Sequence, residues 1–106
     1  MFVAWTTVPS ADLAHQLAAK AVEARLAVCV QIEGPITSHY LWQGVQEKSA
    51  EHRLTFKVLP ETLSALETWL RSQHPYEIPE WIVVKAEHVG EKYLSWARAN
   101  PNNLTL

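Results

Sequence analysis

The chain has 106 residues, 48% of them hydrophobic and 19% charged, with a formal net charge of −2. That length carries one domain with a real core and excludes two. The balance excludes the basic footprint of a nucleic-acid or anionic-membrane binder, and no run approaches the about 18 apolar residues of a membrane span.

Phe2 to Thr7 is apolar and β-prone, and Pro9 closes it. No basic region precedes this stretch, so no signal peptide is expected. Ser10 is placed to cap a helix predicted over Ala11 to Leu26, with Asp12 near its positive dipole end. Ala14, Leu17, Ala18, Ala21 and Val22 recur at helical spacing and make a narrow, Ala-rich face able to lie close on a sheet.

Val28, Val30 and Ile32 alternate with Cys29 and Gln31, which predicts a strand with two unlike faces. Gly34-Pro35 should bend or bulge it. Extended structure resumes from Ile36 to Trp42, with Ile36, Ser38, Tyr40 and Trp42 on one face. Gln43-Gly44 reads as a tight turn, and the return strand is polar from Gln46 to Arg53 before alternating through Leu54, Phe56 and Val58. Both arms exceed the usual strand length of about 5–6 residues. Such a hairpin projects past the core of a small domain and carries Tyr40, Leu41 and Trp42 at its tip, so these residues are expected to pack on another copy of the chain.

Pro60 starts a second helix with Leu63, Leu66 and Leu70 as its buried stripe and Trp69 widening it. The His74-Pro75 step should end that helix, because the residue before proline avoids the α conformation. A strand over Trp81 to Glu87 follows, its run Trp81-Ile82-Val83-Val84 suggesting burial on both faces. Gly90 precedes a last short helix, Glu91 to Ala99, and Pro101 with Asn102-Asn103 reads as a frayed end. The order β-α-β-β-α-β-α predicts an α+β, ferredoxin-like split βαβ sandwich in one domain over the whole chain: four antiparallel strands, two helices on one face, and a second face that needs a partner.

Between the second helix and the last strand, Gln73 to Trp81 holds His74, Tyr76, Glu77 and Glu80 in a connector stiffened by Pro75 and Pro79. Rigidity of that kind suits a site carried on a loop. This block, together with Arg25-Leu-Ala-Val-Cys29-Val-Gln-Ile32, Ser38-His-Tyr40-Leu-Trp42-Gln-Gly44, Glu51 through Lys57 and Tyr93-Leu94-Ser95-Trp96, resembles the CutA family of divalent-cation-tolerance proteins over nearly the whole chain. The resemblance implies a small cytoplasmic homotrimer whose sheets pack through extended hairpin arms. It also implies an association with copper and other divalent metals. Family copper sites draw on a cysteine in the first strand and paired histidines before Pro-Tyr. Here those places hold Trp5 and Gln73-His74, so His74 alone carries over as a metal ligand.

Read from the residues themselves, His74, Glu77 and Glu80 lie three apart and can converge on a cation with help from other subunits; otherwise His74 caps its helix or bonds the loop backbone. Glu51 and Lys57 share a strand face. Either they form a structural ion pair, or they line an intersubunit cleft with Tyr76, Glu77 and Glu80. Cys29, the single cysteine, precludes an internal disulfide and fits a reducing compartment; it reads as a small buried hydrophobe. His15, His39, His52 and His88 read as surface residues. No nucleophile elbow, Walker loop or dinucleotide fingerprint is present, the arginine an acylphosphatase needs after its first strand is missing from Thr7-Val8-Pro9-Ser10, and the stacking aromatics of an RNA-recognition module are absent from Arg53 to Val58. The expectation is a non-enzymatic homotrimer associated with divalent metal, copper first; the second reading is a regulatory or scaffold trimer that takes a small molecule or protein in its clefts.

Overall fold

In the computed structural model, which describes residues 1–99, one four-stranded antiparallel sheet carries two helices. The predicted frayed end at Pro101 to Asn103 lies outside the described residues. The elements are β1 (Phe2–Val8), α1 (Ala11–Glu23), β2 (Cys29–Trp42), β3 (Val45–Val58), a 3-10 turn (Pro60–Thr62), α2 (Leu63–Gln73), β4 (Ile82–Lys85) and α3 (Glu91–Arg98). The strands lie in the order β2-β3-β1-β4 with every pair antiparallel. This is the split βαβ arrangement expected from the element order.

The core follows the alternation of the strands. Ala4, Thr6 and Val8 of β1 meet Leu54, Phe56 and Val58 of β3 on one face, all of them fully buried. Leu17 and the small Ala14 and Ala21 bring α1 close to that face, while Leu66 and Leu70 bring α2. Phe56 also meets Trp81, ring centroids 6.0 Å apart and tilted by 59°. Burying each of these large apolar side chains contributes about 1.5–3 kcal/mol.

Ser10 caps α1 as expected, its Oγ accepting from the Leu13 N–H at 3.2 Å. The helix ends earlier than the apolar spacing predicts. Arg25 turns into the left-handed region at φ 59°, so its N–H bonds to Val22 O and the Leu26 N–H bonds to Ala21 O. That pair of bonds is a Schellman stop, built here without the usual glycine. Leu26, predicted as helical, therefore begins the approach to β2.

The predicted bend at Gly34-Pro35 is a bulge inside one continuous 14-residue strand, between Glu33 and Ile36. A Cβ at Gly34 would overlap Cδ2 of His52, so glycine is needed for close approach of the ring. His52 is accordingly half-buried with its Nδ1 enclosed, not a surface residue as its spacing suggested, whereas His15, His39 and His88 are exposed. Gln43 and Gly44 both take positive φ, 51° and 80°, which is the two-residue turn that best matches the twist of a hairpin.

Two further expectations are corrected. The last strand is shorter than predicted and lies at the sheet edge; Ile82 is 53% and Val84 44% exposed, so this run is not buried on both faces in the protomer. The cause is the open side of the sheet, where register sets Val3 beside Val84 and Trp5 beside Ile82, opposite the helices. Cys29 is half-buried rather than a core residue, because it pairs with Lys57 on that same open side and lies beside Tyr93 of α3.

Candidate functional site

The connector from His74 to Glu80 wraps the end of β1 and is fastened there at two points. His74 stops α2, its N–H bonding to Leu70 O at 2.9 Å while its own ψ of 134° turns the chain away. Its ring is buried against β1, with Nε2 2.9 Å from Thr7 O, and Nδ1 accepts the Tyr76 N–H at 3.1 Å. An acceptor at Nδ1 and a carbonyl at Nε2 define one neutral tautomer, with the proton on Nε2 donated to Thr7. Burial, only partly opposed by the Thr7 bond and by nearby Glu51, keeps the imidazole more acidic than usual and so neutral. At the far end of the connector, the Thr6 hydroxyl donates to Glu80 O at 2.7 Å.

Tyr76 then reaches across to the hairpin. Its ring packs on His74 at a centroid distance of 4.8 Å, and its phenol donates to Glu51 Oε1 at 2.9 Å. The second oxygen, Oε2, accepts from Ser38 at 2.5 Å. Ser38 lies diagonally across the hairpin from Glu51, since Ile36 is the direct partner of Glu51 and Ser49 that of Ser38. Glu51 is 8% exposed with both oxygens accepting, the pattern of a carboxylate used as an acceptor. Burial, and then the bond to Glu51, push the Tyr76 phenol up to about 12, so it remains a donor throughout the physiological range.

Between connector and arm lies an open groove of about 900 Å³. Tyr40, Trp42 and Tyr76 supply its aromatic wall, and Glu47, Glu51, Glu77 and Glu80 its charge. The structure thus brings together Glu51, Tyr76, Glu77, Glu80, Tyr40 and Trp42 of the residues singled out from sequence. Lys57 stands apart. It lies on the same strand as Glu51 but about 20 Å along it at the usual strand rise, and it donates to Gln31 Oε1 at 2.7 Å. Of the two alternatives for that pair, the protomer makes no ion pair.

His74 lies behind the groove rather than in it. With both ring nitrogens engaged it does not fit a metal ligand within one protomer, and among the described residues no three side chains of His, Cys, Asp or Glu converge on a point. Ser38, Thr6 and Thr7 were not singled out from sequence as site residues. The alternation that groups Ser38 with Tyr40 and Trp42 was a signal for the first; nothing local marks the two threonines, whose partners are 74 and 67 residues away.

The chain matches the family described as CutA1 divalent ion tolerance protein over residues 2–100. It is 38% identical over 95 residues to human Protein CutA, covering 90% of this chain and 53% of that protein, so it spans about half the length of this relative. The structure of the divalent cation tolerance protein (Cut A1) from Thermus thermophilus superposes with a TM-score of 0.85 at 35% identity, covering 91% of this chain and 94% of that one. CutA from Synechococcus elongatus superposes with a TM-score of 0.77 at 47% identity, covering 80% and 75%. Sequence blocks, sheet order and these matches agree, and the chain belongs to the CutA1 family of divalent ion tolerance proteins.

Proposed function

We propose that this chain works as a cytoplasmic, non-enzymatic homotrimer in divalent-cation tolerance, with copper the first cation to consider. The observation that carries the assembly is the apolar surface one protomer leaves in water. Leu41, Trp42 and Val45 at the hairpin tip are 72%, 43% and 59% exposed, and Ile82 and Val84 line the uncovered side of the sheet. Surface of that kind marks an interface. Sedimentation at micromolar concentration tests it, and a folded monomer would remove the reading.

The metal half of the proposal has a specific structural cost. A cation reaches His74 only by taking a nitrogen from the Thr7 carbonyl or the Tyr76 amide. Copper titration by calorimetry on the wild type and His74→Ala decides the point: loss of binding in the variant keeps His74 as a ligand, and equal isotherms remove it.

The groove supports a second reading, a regulatory trimer holding a small molecule in its intersubunit clefts. Its volume is within the range of about 300–1,000 Å³ typical of ligand pockets, and a buried carboxylate with two donors already set sits in its wall.

A further inference from the structure

The groove has a chemical character that selects among ligands. Glu47, Glu51, Glu77 and Glu80 face it, and among the described residues that line it there is no lysine or arginine. Glu51 is the informative member. It is buried, both oxygens accept from neutral hydroxyls, and the ion pairs found among the described residues, Arg53–Glu33 and Arg98–Glu61, do not include it. A carboxylate withdrawn from water is ordinarily matched by a positive charge, and the protomer supplies no lysine or arginine to it.

A compact divalent metal does not meet the rest of the geometry. Such an ion needs several ligands closing around one point, and the groove carboxylates do not converge in that way. Its charges are spread along a wide trough whose other wall is aromatic: Tyr40, Trp42 and Tyr76. Aromatic faces attract weakly hydrated cations such as alkylammonium and guanidinium groups, within about 6 Å of the ring centroid. Dispersed carboxylates suit a cation whose charge is likewise extended over several groups.

We infer that the groove between the hairpin arm and the Pro75–Glu80 connector is a binding site for an organic cation, of the polyamine or alkylammonium class. The inference rests on the cleft reading above and names the ligand class for that site. Glu51, with Tyr76 and Ser38 holding it, sits at the closed end; Glu77 and Glu80 are the carboxylates of the connector side; Tyr40 and Trp42 cover the aliphatic part.

The test is calorimetric titration of the full chain, in its native assembly, with spermidine. Saturable binding is expected, weakening several-fold between low and physiological salt as an exposed electrostatic site must. Glu51→Gln should weaken it at least tenfold. Because a buried substitution can disturb folding, Glu80→Gln on the connector serves as the second variant, with an expected loss of threefold or more, and Glu23→Gln, remote on α1, should change nothing. Equal losses from Glu23→Gln and Glu80→Gln would reveal a diffuse ion atmosphere and overturn the inference, as would magnesium chloride binding as tightly as spermidine. Sedimentation of the same samples separates this inference from the reading beneath it. An intact assembly that takes no spermidine removes the ligand and leaves the trimer. A monomer that binds spermidine with the same Glu80 dependence keeps the ligand and removes the intersubunit placement.

Discussion

Tyr76 and Glu51 are 25 residues apart in sequence and come from a connector and a strand, yet the phenol of one donates to the carboxylate of the other at 2.9 Å. This bond joins the proline-framed connector to the hairpin arm across the groove. Tyr76→Phe keeps the ring packing on His74 and removes the donor, leaving one oxygen of a buried carboxylate short of a partner. The expected loss is about 1–3 kcal/mol in stability, read by urea unfolding. No measurable loss would mean that water replaces the phenol.

His74 predicts an acid limb in stability. Its folded pKa is lowered by burial below its ordinary value of 6.5. The unfolded chain therefore binds the proton more readily, and stability rises with pH across the interval between the two values. The contribution is complete above 6.5 and is lost as pH falls through that value toward the folded one. A proton at Nδ1 also abolishes the bond from the Tyr76 N–H. Unfolding midpoints measured from about pH 8 to about pH 5, a range spanning the ordinary histidine value, should fall in the wild type and fall less in His74→Gln.

Tyr76 predicts the opposite limb. Its phenol is raised from 10.0 to about 12, so folding favours the protonated form, and this contribution is complete below 10.0 and lost as pH rises toward about 12. Absorbance titration of tyrosinate should show a late component that Tyr76→Phe removes.

Gly34 and His52 form a pair whose coupling is measurable. A Cβ at Gly34 overlaps the His52 ring, too close to be absorbed without movement of the ring or strand. Gly34→Ala should cost about 1–3 kcal/mol as an overpacking change. In a double-mutant cycle, His52→Ala should recover part of that loss, since adjacent residues couple. Strictly additive losses would place the strain in the backbone.

Trp42 carries the assembly prediction. Burying a side chain of this kind at an interface contributes about 1.5–3 kcal/mol, so Trp42→Ser should raise the dissociation constant of the assembly by about tenfold or more. Concentration-dependent sedimentation measures the change. An unchanged constant would move the interface away from the hairpin tip.

Much of this was legible along the chain because it depends on near neighbours. Alternation over Leu54, Phe56 and Val58 marks a strand with a buried face, Ser10 marks a helix start, Gln43-Gly44 marks a turn, and Pro75 marks where α2 must stop. Each follows from the backbone geometry or side-chain period of a few consecutive residues, and the family resemblance rests on those same blocks. What tertiary structure alone decided are the long-range partnerships. Arg25 ends α1 without glycine, Gly34 is needed because His52 lies over it, and Ile82 is exposed because β4 falls at the edge. His74 spends both nitrogens on the backbone of Thr7 and Tyr76, and Glu51 belongs to Tyr76 and Ser38 rather than to Lys57. A side chain's chemistry is written in its identity, but which of its atoms remain free is set by the groups that folding brings beside it.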